Sequence, residues 1–180
     1  LTGFYMEKDD VVFQSSERLN LGGGASRHYG LEYEVQWALR DRLSLGVAGT
    51  FARHQYTRNV SAPGSGLIES RGNDIDTAPR SLHNLTLDWQ PHDLTRVVLQ
   101  WQYTGSYYTD IENAHRYRGH DLVHLRLEQA LGDKTTLGLR VENLADVDYA
   151  ERADYSSLGG GDRYFIGEPR SGYADIRFSL

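Results

Sequence analysis

Apolar side chains recur at every second position along most of this 180-residue chain, and this spacing limits the folds open to it. In residues 30–40 the alternation is regular and places five apolar residues on one side: Leu31, Tyr33, Val35, Trp37 and Leu39. Because successive side chains of a strand point to opposite faces, the spacing predicts strands with one apolar and one polar face. No segment has the helical spacing of three to four residues, so the chain is predicted to be all-β.

Eight segments of this kind are predicted to form antiparallel strands, joined alternately by short turns and long polar loops. The segments cover approximately residues 2–14, 30–40, 43–51, 85–89, 97–103, 123–127, 137–141 and 174–180. The short turns fall at 40–42, 90–93 and 132–134, and the long loops at 15–27, 57–78, 106–119 and 145–168. All long loops therefore lie at one end, which is typical of a transmembrane β-barrel with short periplasmic turns and long extracellular loops.

Composition excludes several classes of function. No run of about 20 apolar residues is present, which argues against transmembrane helices, and a mean hydropathy of -0.58 is compatible with a barrel that has a polar lumen. The net charge of -6 and the lack of a basic cluster argue against a nucleic-acid partner. The absence of cysteine excludes disulfides, thiolate chemistry and cysteine-ligated zinc.

Aromatic residues lie near both ends of the predicted strands. Trp37 and Trp89 lie beside short turns, whereas five others lie toward the long loops: Phe51, Tyr56, Tyr103, Tyr107 and Tyr108. Bilayer interfaces favour two such bands, because amphipathic rings settle at headgroup level. This favours a membrane barrel with a polar interior over a soluble, lipocalin-like barrel with an apolar interior, and over the general preference of aromatic residues for strands.

Four short motifs, spread over most of the chain, carry a resemblance to a known family. They are HYGLEYE at 28–34, APRSLHN at 78–84, VENLADVDY at 141–149 and GEPR at 167–170. In this order they resemble the C-terminal portion of a TonB-dependent outer-membrane receptor. The third is similar to the Asn-Leu-x-Asp-x-x-Tyr ending of that family's penultimate strand, and the fourth to the Gly-x-Pro-Arg that leads into its final strand.

The resemblance implies that residues 1–180 form the last eight strands of a twenty-two-strand barrel, with the N-terminal plug and the earlier strands absent from this sequence. It implies a location in the outer membrane of a Gram-negative bacterium and active uptake of a scarce nutrient, most readily a ferric siderophore or similar metal chelate. The implied partners are outer-membrane lipid, the plug domain, a TonB-type energy-coupling protein and the barrel assembly machinery. No catalysis and no cofactor are implied.

The resemblance also suggests roles for particular side chains. The long loops carry candidate ligand-binding residues, and the alternative is that these are ordinary solvated loop side chains: Tyr107, Tyr108, Asp110, His115, Arg116, Tyr155 and Arg163. The polar strand face carries charges expected to line the lumen and face the plug: Glu32, Glu34, Arg126, Glu128, Arg140, Glu142 and Arg177. Phe178 and Leu180 are expected to form the C-terminal assembly signal, although the family usually ends on an aromatic residue.

Metal and catalytic signals are weak. His120 and His124 share a strand face but lie about 13 Å apart at 3.3 Å per residue, too far to chelate one ion. The Asp-x-Asp pairs at 74–76 and 146–148 complete no known calcium loop. No catalytic or metal-binding residues are therefore predicted. The alternative to a receptor is an autonomous eight-strand barrel that serves as a structural protein, an adhesin or a lipid-modifying enzyme.

Overall fold

The chain folds as an antiparallel β-sheet protein in a computed structural model, which describes residues 1–15, 19–62, 64 and 66–179. Its strands are β1 (Thr2–Gln14), β2 (Asn20–Arg40), β3 (Leu43–Tyr56), β4 (Val60–Ala62), β5 (Gly66–Ile68), β6 (Ser81–His92), β7 (Thr95–Thr104), β8 (Tyr107–Tyr108), β9 (Arg116–Tyr117), β10 (His120–Ala130), β11 (Thr135–Glu142), β12 (Ala150–Ser156), β13 (Gly161–Ile166) and β14 (Ser171–Phe178). The described residues include no helix that is long and apolar enough to cross a membrane.

Ten strands form one large sheet. Their order is β14-β11-β10-β7-β6-β3-β2-β4-β5, and β1 also pairs with β2. Two small hairpins, β8–β9 and β12–β13, form separate sheets. Among the described residues β1 pairs only with β2, and β14 pairs only with β11, so the large sheet is open at these two edges.

The all-β prediction is confirmed, and the structure adds detail to the predicted loops. Residues 20–27, predicted as loop, extend β2, because β1 keeps pairing with it as far as Gln14 opposite Asn20. The other three long connections, which carry β4–β5, β8–β9 and β12–β13, contain short hairpins. Pairing within a long connection satisfies backbone groups that packing would otherwise remove from water. We call the end of the sheet with these connections the loop end, and the opposite end the turn end.

Strand register assigns each side chain to one of two faces, because directly paired residues lie on the same face. One row on the apolar face runs across five strands: Val35, Val47, Leu85, Trp101 and Val123. The neighbouring row on the polar face is Glu34, Ala48, Asn84, Gln102 and Leu122. The apolar face is open to the surroundings, with Val35 54% and Trp37 62% exposed.

The buried residues lie at the loop end rather than along the strands. One cluster contains Leu21, Tyr56 and Val60, and another contains Tyr107, Tyr117, Ala150 and Ala153. The long connections are therefore packed structures with small cores of their own. These cores position the cavity described next.

Candidate functional site

A cavity of about 450 Å³ opens among the long connections, and we call it the loop-end cavity. It lies between the β1–β2 connection, the end of β3, and the segments that precede β6, β9 and β13. The residues that line it are Gln14, Ser15, Leu19, Leu21, Tyr56, Ile68, Asp76, Asp110, Ile111, Glu112, Ala114, His115, Tyr155, Ser157 and Leu158. Tyr56 pairs with Ser26 and so belongs to the polar face of the sheet, together with Glu32 and Glu34.

Tyr56 and Asp76 form a hydrogen-bonded pair on one wall of the cavity. The Tyr56 hydroxyl donates to Asp76 Oδ1 at 2.8 Å, and Tyr56 is only 2% exposed. Burial raises the pKa of the Asp76 carboxyl and also raises the pKa of the Tyr56 phenol. Asp76 therefore binds a proton more readily than an exposed aspartate, and its carboxyl group is suited to hydrogen bonds with a ligand.

Asp110, His115 and Tyr155 form another part of the cavity wall. Asp110 accepts hydrogen bonds from the backbone N–H of Ala114 at 3.2 Å and of His115 at 3.0 Å. Its Oδ2 also lies 3.0 Å from His115 Nδ1, so the carboxylate accepts a hydrogen bond from a proton on Nδ1. The His115 ring stacks on Tyr155 with centroids 3.5 Å apart, so this wall is a preformed, flat and partly polar surface.

Two tyrosine hydroxyls attach strand β12, and hence Tyr155, to the rest of the loop end. The Tyr107 hydroxyl accepts a hydrogen bond from the Ala153 N–H at 2.8 Å, and the Tyr117 hydroxyl accepts one from the Ala150 N–H at 3.0 Å. The Tyr155 N–H donates to the Thr109 carbonyl at 2.9 Å. Segments more than 30 residues apart in sequence therefore form one unit around the cavity.

The structure brings three of the seven predicted ligand residues, Asp110, His115 and Tyr155, to the loop-end cavity. The other four are Tyr107, Tyr108, Arg116 and Arg163. Tyr107 is buried beneath β12, and the Arg116 guanidinium lies 5.6 Å from the ring centroid of Tyr108. Arg163 Nε donates to Asp154 Oδ1 at 2.6 Å.

Sequence reasoning missed Tyr56 and Asp76 as cavity residues. Tyr56 was assigned to an aromatic band, and Asp76 was considered only as half of an Asp-x-Asp pair. The first member of that pair, Asp74, instead accepts hydrogen bonds from Arg53 and Arg80. In the second pair, Asp146 Oδ1 accepts a hydrogen bond from the Arg170 N–H at 3.0 Å. Within the described part of the chain, no group of three or more His, Asp or Glu residues is arranged to hold a metal ion.

The seven charges predicted to line a lumen all lie on the polar face. Glu128 is the centre of an ion-pair network there, with Arg177 Nη2 at 2.6 Å, Arg126 Nη2 at 2.9 Å and Arg96 Nη1 at 3.9 Å. Arg140 Nε lies 3.2 Å from Glu142 Oε1, whereas Glu32 and Glu34 lie farther along the same face. Arg177 reaches Glu128 across β11, where Gly138 has no side chain to separate them.

An aromatic band crosses the apolar face toward the loop end. Its members are Tyr33, Phe51, His83, Tyr103 and Trp101, with successive ring centroids 6.2, 4.5, 5.7 and 5.9 Å apart. Phe51 and Tyr103 were predicted for this band. Tyr56 and Tyr107 were also predicted for it, but they lie in the buried clusters, because their hydroxyls bind Asp76 and the β12 backbone. Phe178 ends β14, and Leu180 lies outside the described residues.

Comparison with known proteins identifies similar sequences and folds. The family model described as "TonB dependent receptor-like, beta-barrel" matches residues 1–144. The siderophore receptor PiuA from Acinetobacter baumannii aligns with 98% of this chain at 19% identity and a TM-score of 0.81. The ferric yersiniabactin uptake receptor FyuA from Yersinia pestis aligns with 98% at 17% identity and a TM-score of 0.79. The ferric citrate transporter FecA aligns with 98% at 19% identity and a TM-score of 0.79.

These likenesses show a shared fold over nearly the whole chain. The chain covers 25%, 26% and 28% of the three aligned structures, so it spans about a quarter of their length. No match is found among the curated proteins.

Proposed function

Since the chain belongs to the TonB-dependent receptor β-barrel family, we propose that it forms the C-terminal part of the transmembrane barrel of an outer-membrane nutrient transporter. The observation that carries this proposal is the family match over residues 1–144, on strands with one apolar and one polar face. The apolar face contacts lipid, the polar face lines the lumen, and the loop end is extracellular. The Glu128 network then belongs to the lumen wall, next to the plug.

The rest of the transport machinery follows from this assignment. A plug domain encoded elsewhere in the protein blocks the lumen, and a TonB-type protein transmits the force that rearranges it. The barrel assembly machinery inserts the strands, with Phe178 and Leu180 in its recognition signal. The chain itself binds and positions a ligand, and transport needs neither a cofactor nor the making or breaking of covalent bonds.

The proposed ligand is a metal chelate, such as a ferric siderophore, held partly in the loop-end cavity. The names of the similar structures include a siderophore receptor and a ferric citrate transporter. The cavity wall is acidic. Its described lining residues include one histidine and three acidic residues, Asp76, Asp110 and Glu112, and no arginine or lysine. A ligand that contacts this wall is therefore expected to present hydrogen-bond donors or positive charge, together with a flat surface that stacks on Tyr155.

An autonomous eight-strand barrel is the alternative, and it requires β1 to pair with β14. In the described residues β1 pairs with β2 and β14 with β11, and neither strand contacts the other as a partner. This arrangement favours the receptor barrel.

Uptake of radioactive iron tests the proposal. The full-length protein is expressed in a Gram-negative strain that lacks its own siderophore receptors, and ⁵⁵Fe is supplied as ferric citrate, a ferric catecholate or a cationic ferric hydroxamate. We expect energy-dependent uptake, greatest for the hydroxamate, that disappears when the energy-coupling protein is deleted. Absence of uptake for all three chelates, or uptake that persists without the coupling protein, contradicts the proposal.

Two tyrosine variants test the role of the cavity. Tyr155→Ala removes the ring that stacks on His115, and we expect half-saturation of uptake at about fivefold higher chelate concentration. Tyr164→Ala is the matched control, because Tyr164 is 54% exposed on the neighbouring strand β13 and does not line the cavity. Equal effects of the two variants would contradict ligand binding in this cavity.

A further inference from the structure

A second concave site lies on the opposite side of the sheet from the loop-end cavity. It is a shallow, largely open groove of about 730 Å³ across β1, β2 and β3, and we call it the rim groove. Its lining includes Gly3, Tyr5, Tyr29, Leu31, Phe51 and Arg53. Register places Gly3 opposite Leu31 and Leu31 opposite Phe51, so the groove belongs to the apolar face, beside the aromatic band.

The part of the rim groove nearer the turn end is apolar and open. Leu31 is 48% exposed and Phe51 is 55% exposed, although both are large apolar side chains. Gly3 forms the floor on the other side of Leu31 from Phe51. A Cβ atom at Gly3 would meet only Leu31 Cδ2 at 3.6 Å and the Gly30 carbonyl at 4.0 Å, so space above the floor is free. Large apolar surface of this kind is expected to be covered by another apolar group.

The part of the rim groove nearer the loop end carries positive charge. Arg53 Nε lies 3.1 Å from Asp74 Oδ1, and Arg80 Nη2 lies 2.5 Å from Asp74 Oδ2. The Asp74 side chain is 7% exposed, whereas those of Arg53 and Arg80 are 41% and 53% exposed. Two guanidinium groups thus share one buried carboxylate, which fixes their position and leaves a net positive charge with unused N–H donors at the surface.

We propose that the rim groove binds a membrane lipid with an anionic, phosphorylated headgroup. An acyl chain lies over Gly3, Leu31 and Phe51, and a phosphate oxygen pair accepts hydrogen bonds from Arg53 and Arg80. The inference rests on the proposed membrane orientation. In that orientation the aromatic band lies at headgroup level, and the two arginines lie immediately beyond it, at the depth of lipid phosphates.

Native mass spectrometry of the purified full-length protein in detergent micelles tests this inference. The probes are phosphatidylglycerol, which is anionic, and phosphatidylcholine, which has the same acyl chains and no net charge. We expect tighter binding of phosphatidylglycerol, which excess inorganic phosphate does not displace. Equal binding of the two lipids overturns the proposal, and displacement by inorganic phosphate shows an anion site without a lipid groove.

Three variants separate the charge from the groove. Arg80→Gln keeps the Arg53–Asp74 pair, and we expect it to weaken phosphatidylglycerol binding about tenfold and to reduce the preference for this lipid over phosphatidylcholine, whose choline cation offsets its phosphate charge. Arg58→Gln is the matched control, because Arg58 is 56% exposed and pairs with Asp9 outside the groove. Gly3→Leu fills the floor without touching either arginine, and we expect it to weaken binding of both lipids.

The outcomes distinguish this inference from the proposed function. Wild-type binding by Arg80→Gln, or an equal loss in Arg58→Gln, overturns the lipid site whatever the uptake result. Iron uptake by Arg80→Gln is expected to equal that of the wild type, because Arg80 does not line the loop-end cavity. Failure of uptake in the wild-type protein itself concerns the transporter proposal, whereas lipid binding is measured on the purified protein without transport.

Discussion

Asn143 fastens the base of the long connection from β11 to β14, which contains the β12–β13 hairpin, and its replacement tests how far the loop end depends on one side chain. Its Nδ2 donates to the carbonyl oxygens of Val147 at 2.9 Å and Glu168 at 3.2 Å. Its Oδ1 accepts a hydrogen bond from the Val147 N–H at 2.9 Å. Asn143 is 2% exposed and has a φ of 49°, in the left-handed region. One side chain therefore joins the beginning and the end of this connection.

The expected loss in the local free energy of unfolding follows from these contacts. Asn143→Ala removes three hydrogen bonds, at about 1 kcal/mol each, and places alanine in the left-handed region, at about 1 kcal/mol more. We therefore expect the local free energy of unfolding to fall by about 4 kcal/mol. Asn143→Gly loses the same hydrogen bonds but adopts the positive φ without strain, so the expected loss is about 3 kcal/mol.

Amide hydrogen exchange of the full-length protein in detergent micelles measures this local free energy over residues 145–168. The control is Asn59→Ala, because the Asn59 side chain accepts one exposed hydrogen bond, from the Arg71 N–H at 2.8 Å. We expect the control to change protection by less than about 1 kcal/mol. Protection of Asn143→Ala within about 0.5 kcal/mol of the wild type would refute the reasoning.

Three further predictions concern the sheet, the cavity and the polar face. Gly30→Ala is expected to destabilise the β2–β3 pair by about 2 kcal/mol in chemical unfolding, because its Cβ would lie 2.2 Å from the Phe51 carbonyl oxygen. Gly22→Ala is the control and should be nearly neutral, because its Cβ would meet nothing within 4 Å. Asp76→Asn is expected to raise stability at pH 7 and to flatten its decline with rising pH. Burial raises the folded-state pKa of Asp76 above its ordinary value of 3.8, so its favourable contribution is complete below that value and is lost as pH rises through the folded-state pKa. Unchanged pH dependence of unfolding in Asp76→Asn would contradict this account. Glu128→Gln leaves three arginines without their shared carboxylate, and we expect a loss of about 1 kcal/mol in low salt that shrinks as NaCl is added. A loss that does not depend on salt would argue against an electrostatic origin.

The strands were predictable from the sequence, because a period of two directly reports which side of an extended chain each residue occupies. β2 is an example, since the regular alternation over residues 30–40 lies within the observed strand Asn20–Arg40. The hairpins within the loops were not predictable in this way. β12 is held by the hydroxyls of Tyr107 and Tyr117, which come from a segment more than 30 residues away in sequence, and no local pattern records such contacts.

Part of the candidate site was also predictable from the sequence. Long loops rich in aromatic and charged residues indicate where a ligand binds, and this reasoning selected Asp110, His115 and Tyr155. It did not select Asp76, because the property that distinguishes Asp76 is burial beside Tyr56, and burial depends on how three separate connections pack. The same packing explains why Tyr107 has a structural role rather than a place in the cavity.

The ion-pair network around Glu128 has a consequence for how this wall changes over evolution. It contains three carboxylates, Asp88, Glu128 and Asp175, and three guanidinium groups, those of Arg96, Arg126 and Arg177. The six formal charges cancel, and each group lies next to at least one partner of opposite sign. A change of charge at Asp88, Arg96, Glu128 or Arg177 would remove an ion-pair partner from a residue on a different strand. Charge substitutions in this wall are therefore expected to be accepted as compensating pairs, so that β6, β7, β10 and β14 covary at these positions.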